Sequence, residues 1–282
     1  MTLAIALRGD TTRFRENTLP AIRSAFAEGA DVVAVDLRTT ADGHVVVVRD
    51  HALEYTWRLA RPVAQATLAD LAVLGHDVQQ RIPTLMEVLA EAAGPPVRAL
   101  LLDVDRLETA LAAEAVVGEH GMGEHIIYTG PLEVLRALRA HRPQVGLLLS
   151  WELPTLPPPD VWQSVRPRYY STEHRMLTRE LVAEIQRHGY RIATWTVDDF
   201  PEMVRLAGMG VDAIITNNIA ELANLSGRQS APGAGGPPRG AHGVSGPHGV
   251  SGVHGVSGPH GFSGAPAVPA PPYDLRPGDH RR

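Results

Sequence analysis

A chain of 282 residues that is 44% hydrophobic and 20% charged can bury a core without external staples, and a cysteine count of 0 excludes disulfides, thiolate catalysis and sulfur-ligated metals. A formal net charge of -5 offers no general attraction to nucleic acid or to anionic membranes, and all 26 basic residues are Arg. The opening Met1 to Asp10 lacks a basic segment, and its apolar run is too short for export or for spanning a bilayer, so a cytoplasmic location without membrane insertion is expected.

Leu3 to Leu7 is an apolar run stopped by Arg8-Gly9-Asp10, which suits a buried parallel strand followed by a loop. Asn17 and Thr18 are cap candidates for a helix with Leu19, Ile22, Ala25 and Phe26 on its apolar side and Gly29 as its stop. Asp31 to Leu37 and Val45 to Val48 read as strands, and Asp42-Gly43 between them is the strongest turn signal in the chain. A two-residue loop there sets Asp36 opposite Arg49 on one face, so that a carboxylate meets a guanidinium; a longer or bulged turn would break that register.

Helices are expected at Thr67 to Leu74 and Thr84 to Ala93, then a buried strand at Ala99 to Asp105 and a helix from Leu107 to Val117. Strands at His125 to Tyr128, Val145 to Leu149, Arg168 to Thr172, Arg191 to Val197 and Ala213 to Thr216 follow. The helices between and after them are Leu132 to Ala140, Thr178 to Arg187, Pro201 to Ala207 and Ala220 to Leu225. Such alternation implies βα units and a mainly parallel sheet, and about eight units in roughly 225 residues fit a closed (β/α)8 TIM barrel over residues 1–225. Residues 226–282 read as a disordered tail: four hexapeptides beginning at His242, His248, His254 and His260 lie in Gly- and Pro-rich sequence too poor in apolar side chains to order itself. Their histidines can at most bind a divalent metal weakly, and any protein partner of the tail is unknown.

Further motifs accompany this pattern. Leu7-Arg8-Gly9, Glu16-Asn17-Thr18, Ala34-Val35-Asp36, Asp42-Gly43 and Arg49-Asp50 occur in that order, with Trp195-Thr196-Val197-Asp198 and Gly210 to Asn217 closing the barrel. The series resembles the glycerophosphodiester phosphodiesterase family, which opens with His-Arg-Gly, Glu-Asn-Thr, Glu-x-Asp, Asp-Gly and His-Asp. That resemblance implies hydrolysis of glycerophosphodiesters to an alcohol and glycerol phosphate, with two histidines exchanging protons. It also implies magnesium or calcium held by the Glu-x-Asp pair and a later Glu, and an Arg on the phosphate. By position, Leu7 and Arg49 stand where the histidines would be, Ala34 stands at the first metal ligand, and Asp36 and Asp103 remain as candidate ligands. Arg8, Glu16 and Trp195 are the expected substrate contacts, with Arg49 a second phosphate clamp, and Asp105 replaces a Lys.

Neither Leu7 nor Arg49 can exchange protons near neutral pH. Lost or strongly reduced activity, with binding of a small phosphate or phosphodiester ligand, is therefore the first expectation. Its refinement is that Arg49 has taken the cation's place against Asp36 and Asp103. The competing expectations are an active phosphoric diester hydrolase with a rearranged site that borrows His51 or His44, and an interaction protein acting through the tail. Trp151, Glu152, Tyr169 and Tyr170 are weaker candidates for the mouth of the barrel.

Overall fold

A computed structural model of the chain describes residues 1–75, 80–225 and 227. The expected tail from residue 226 onwards, with its hexapeptides, otherwise lies outside the described residues.

Strands β1 (Leu3–Leu7), β2 (Val32–Thr39), β4 (Ala99–Val104), β5 (Ile126–Thr129), β6 (Gly146–Ser150), β7 (Tyr169–Glu173), β8 (Arg191–Trp195) and β9 (Ala213–Thr216) pair in parallel, and β1 pairs with both β2 and β9 to close the barrel. The antiparallel β3 (Val45–Val47) is added to the edge of β2. Strands in such a barrel are covered on both sides, which is why they read as near-continuous apolar runs. Their period of two still sorts the residues. In β4, Leu101 points inward with Ile5, Ala34 and Ile127, whereas Leu100 and Leu102 pack under the helices.

The covering helices are α1 (Leu19–Ala27), α4 (Leu85–Ala92), α5 (Leu107–Glu119), α6 (Leu132–His141), α7 (Pro159–Val165), α8 (Arg179–Arg187), α9 (Phe200–Gly208) and α10 (Ile219–Leu225). Short helices α2 (Glu54–Trp57) and α3 (Leu68–Ala72) lie between β3 and α4. There Leu53, Trp57, Val63, Leu71 and Ile82 build a separate small core against Val46 and Val48. Both Thr67 and Thr84 close capping boxes, with Asp70 and Glu87 three residues on, and each such cap stabilises its helix by about 1 kcal/mol. Helix α7 was not expected, because the run Pro157-Pro158-Pro159 reads as a loop; its last proline occupies the first helical turn, where the missing N–H costs nothing.

The β2–β3 connection differs from the expected two-residue loop. Thr40 and His44 flank a three-residue loop in which Gly43 adopts φ +84°, Gly43 N–H bonds to Thr40 O at 3.0 Å, and Thr40 Oγ1 bonds to Asp42 at 2.6 Å. The extra loop residue slides the register by one, pairing Leu37 with Val47 and Arg38 with Val46. Continuing along the ladder, Val48 N–H donates to Asp36 O at 2.9 Å, so Asp36 is met by Val48 and not by Arg49. A one-residue slip turns every side chain to the other face, so the expected Asp36–Arg49 pair is not formed.

Candidate active site at the mouth of the barrel

The carboxyl ends of β1, β2 and β4 bring Leu7, Ala34, Asp36 and Asp103 to one rim. Leu7 and Ala34 both pack on the apolar barrel interior. Asp36 and Asp103 are direct neighbours in the parallel β2–β4 register.

Asp36 is buried and accepts two short bonds, from Arg8 Nε and from Asn17 Nδ2, each at 2.7 Å. Asn17 Oδ1 in turn accepts the Asp36 backbone N–H at 3.3 Å. Arg8 and Asn17 both have positive φ, 60° and 58°, where non-glycine residues are uncommon, and the two form the ends of one loop through Asn17 N–H to Arg8 O. Gly9 makes this loop possible: at φ +91°, a Cβ there would lie 2.6 Å from the Ala21 carbonyl carbon of α1. Asn17 was expected as a helix cap. Its side chain instead serves the site, and the N-cap Thr18 makes no side-chain cap bond.

Asp103 projects into the open mouth, walled by protein at its sides but reached by water. Crowding by the surrounding protein and then the charge of Asp36 push its carboxyl up from the ordinary 3.8 to about 7, against the pull of Arg38 and Arg8. The folded chain therefore holds a proton here that the unfolded chain has lost, and stability falls as pH rises from about 4 to 7. Because the group meets water, screening keeps this effect below what the shift alone implies. Asp103→Asn should accordingly raise the melting temperature at pH 8 and leave it unchanged at pH 4; a parallel offset at both pH values would refute this origin.

Arg38 shares the inward face of β2 with Asp36. Its terminal nitrogens bond to Leu37 O at 2.7 Å and Arg49 O at 2.6 Å, while Nε is buried without a hydrogen bond, 3.9 Å from Asp105 Oδ2. Asp105 Oδ1 is likewise buried and unbonded. Arg106 Nε at 3.2 Å and His51 Nδ1 at 3.7 Å also approach Asp105. The segment after β3 therefore does fold back, bringing His51 to the rim beside Asp105. Partial loss of hydration and then the nearby Arg38 lower the pKa of the largely exposed His51, against the pull of Asp105. His44 remains at the far end of the hairpin, near Asp42.

Arg49 lies on the outer rim with its side chain 40% exposed, bonding Asp50 at 2.8 Å and approaching Glu16 at 3.6 Å. The cations against the inner carboxylates are Arg8 and Arg38, which corrects the expectation of Arg49 in that role. Glu16 stands between Arg8 and Arg49, 3.6 Å from each. Trp195, half-buried, ends β8 beside Glu173. The other aromatic candidates are structural. Trp151 donates Nε1–H to Thr155 O at 2.7 Å, Tyr170 packs outward against Trp162, and Tyr169 fills the barrel interior below the mouth.

Of the inward role of Arg38 and the bridging role of Asn17, only the first is legible in the sequence. Arg38 follows Asp36 by two along a strand, and the period of two alone places it on the site face. Asn17 had no such signal, since nothing local distinguishes a capping Asn from one reaching another strand. As for a cation, only Asp36 and Asp103 remain of the expected ligand set, and Asp36 already accepts from Arg8 and Asn17. Among the described residues no group of three or more His, Cys, Asp or Glu could hold a metal ion. The residues present do not fit a Glu-x-Asp-plus-Glu cation site.

Residues 8–221 match the glycerophosphoryl diester phosphodiesterase family. A glycerophosphodiester phosphodiesterase of Caldanaerobacter subterraneus subsp. tengcongensis is 29% identical over 253 residues, covering 79% of this chain and 97% of the relative. Among solved structures, an Oleispira antarctica phosphodiesterase in complex with the product sn-glycerol-3-phosphate superposes with a TM-score of 0.73 at 20% identity, covering 80% of this chain and 97% of the other. A glycerophosphodiester phosphodiesterase of Agrobacterium tumefaciens gives a TM-score of 0.70 at 23% identity, covering 80% of this chain and 100% of the other. At these identities the structural likenesses speak for the fold.

Proposed function

The chain belongs to the glycerophosphoryl diester phosphodiesterase family, and from that premise we propose that it binds a small glycerol phosphate-type ligand at the barrel mouth with lost or strongly reduced hydrolysis. The observation that carries this reading is that Asp36, the surviving Glu-x-Asp carboxylate, already accepts from Arg8 and Asn17 at 2.7 Å through Oδ2, while Leu7 and Arg49 stand at the two imidazole positions. With no proton carrier at either position and no full set of oxygen ligands for magnesium or calcium, recognition remains without the chemistry. The half-exposed Arg49 guanidinium and the rim residues Glu16 and Trp195 are the contacts left for a ligand's phosphate and glycerol. The match of an sn-glycerol-3-phosphate complex to this fold supports the ligand class. Titration calorimetry with sn-glycerol 3-phosphate should give saturable binding that magnesium, calcium or EDTA leaves unchanged. Arg49→Ala should weaken it by about tenfold, the loss of one charge-assisted contact. Binding that appears only with millimolar cation would overturn the proposal.

One observation favours a second reading. His51 lies 3.7 Å from Asp105, and that carboxylate would orient the ring as an alternative proton carrier for an active hydrolase. Under that reading glycerophosphodiester turnover is present and His51→Gln removes it; under the first reading the same substitution changes nothing measurable.

A further inference from the structure

At the opposite, amino-terminal face of the barrel a cavity of about 320 Å³ opens where β5, β6 and β7 begin. Its lining includes three arginines, Arg139, Arg166 and Arg168, against one acidic residue, Glu124. Among the described residues none of these three arginines has a carboxylate within 4.0 Å. Most of the other described arginines are paired with acids, such as Arg136 with Asp160 and Arg142 with Glu114, so this concentration of positive charge is local.

The cavity is held in shape by Arg139. This α6 residue is only 8% exposed, and its Nε, NH1 and NH2 donate to Val165 O, Pro143 O and Arg166 O at 2.8, 2.6 and 2.9 Å. Those bonds tie the loop before β6 to the turn before β7, but carbonyls only partly offset a buried charge. Burial and the neighbouring Arg166 both push the Arg139 pKa below its ordinary value, as mutual repulsion demands. Arg166 sits at the C-cap of α7 with φ +45° and ψ +60°, a left-handed conformation that glycine adopts without strain. Its side chain and that of the exposed Arg168 complete the wall. Arg166 and Arg168 are both exposed in front of the buried Arg139, so each can turn its guanidinium to an incoming anion, and like charges gathered this closely repel one another less once an anion joins them.

We propose that this cavity is a second ligand site, distinct from the mouth, that takes a small oxyanion of the phosphate class, free or carried as a monoester. The volume lies at the lower end of the range for small-molecule pockets and suits such a ligand. Arg166 and Arg168 contact the anion's oxygens, and Arg139 acts from behind as a fixed charge and as the tie that sets the cavity wall.

Calorimetric titration of the Arg49→Ala variant, whose mouth is weakened, with inorganic phosphate at low ionic strength tests the proposal. Saturable binding should persist there and weaken by about tenfold or more when Arg166→Gly and Arg168→Ala are added, the loss expected for two charge-assisted contacts. Arg166→Gly alone should hold or raise the melting temperature, because it relieves the left-handed arginine, so lost binding cannot be ascribed to unfolding. A parallel titration with sn-glycerol 3-phosphate distinguishes the free ion from the monoester by which binds more tightly. Absence of saturable phosphate binding in Arg49→Ala, or binding there that is indifferent to Arg166 and Arg168, would overturn the second site.

Discussion

Arg8→Ala should be among the most destabilising single substitutions at the mouth, costing about 3 to 5 kcal/mol, whereas Arg49→Ala should cost less than about 1 kcal/mol. The contrast follows from burial. Arg8 and Asp36 have side chains 11% and 8% exposed and are joined at 2.7 Å, so removing the guanidinium leaves a carboxylate desolvated with Asn17 as its main remaining partner. Arg49 is 40% exposed and its partners Asp50 and Glu16 are both wet. For a domain of this size the Arg8 loss lowers the melting temperature by roughly 6 to 20 °C. Urea denaturation of both variants checks the order. Equal costs would mean that Arg49 shares the burial of Asp36, as the two-residue hairpin loop would have had it.

The comparison of Arg8 with Arg49 also shows where sequence reasoning reaches and where it stops. Alternating apolar runs, with caps such as Thr84 before Glu87, report local physics, and they led directly to eight parallel strands in a closed barrel. The ends of the strands were equally legible, because Arg8, Asp36 and Asp103 each stop an apolar run. What decides the site is register, and register here hangs on one extra residue in the loop after Thr40. Asp-Gly is compatible with a loop of two residues or of three with Gly43 at positive φ, and only the tertiary ladder chooses between them. The choice moved Arg49 out to the rim and left Arg8 and Arg38 as the inner cations. The retained Glu16-Asn17-Thr18 motif was visible for the same reason that its meaning was not: Asn17 bonds a side chain 19 positions away, a contact without a local signature.

On glycerophosphodiesters the native chain should turn over at least about 10⁴-fold more slowly than relatives that keep both histidines, since each positioned acid or base typically contributes 10²- to 10⁴-fold. The comparison gains force from restoring the missing parts. Leu7→His and Arg49→His reinstate the two proton carriers, and Ala34→Glu adds a carboxylate on the inward face that already carries Asp36, with Asp103 beside it on the next strand. Three carboxylates gathered at one mouth repel one another, so the triple variant should melt well below the native protein in EDTA. Millimolar magnesium or calcium should recover that loss, whereas the native protein should show no such shift. Hydrolysis should then appear only in the variant and only with the cation, and Ala34→Glu alone should bind metal without turning over substrate. The outcome that would sink the reading is rapid, EDTA-resistant hydrolysis by the native chain that His51→Gln abolishes. The His51–Asp105 pair would then be the working proton carrier, and Asp36, held by Arg8 and Asn17, a structural brace beneath it.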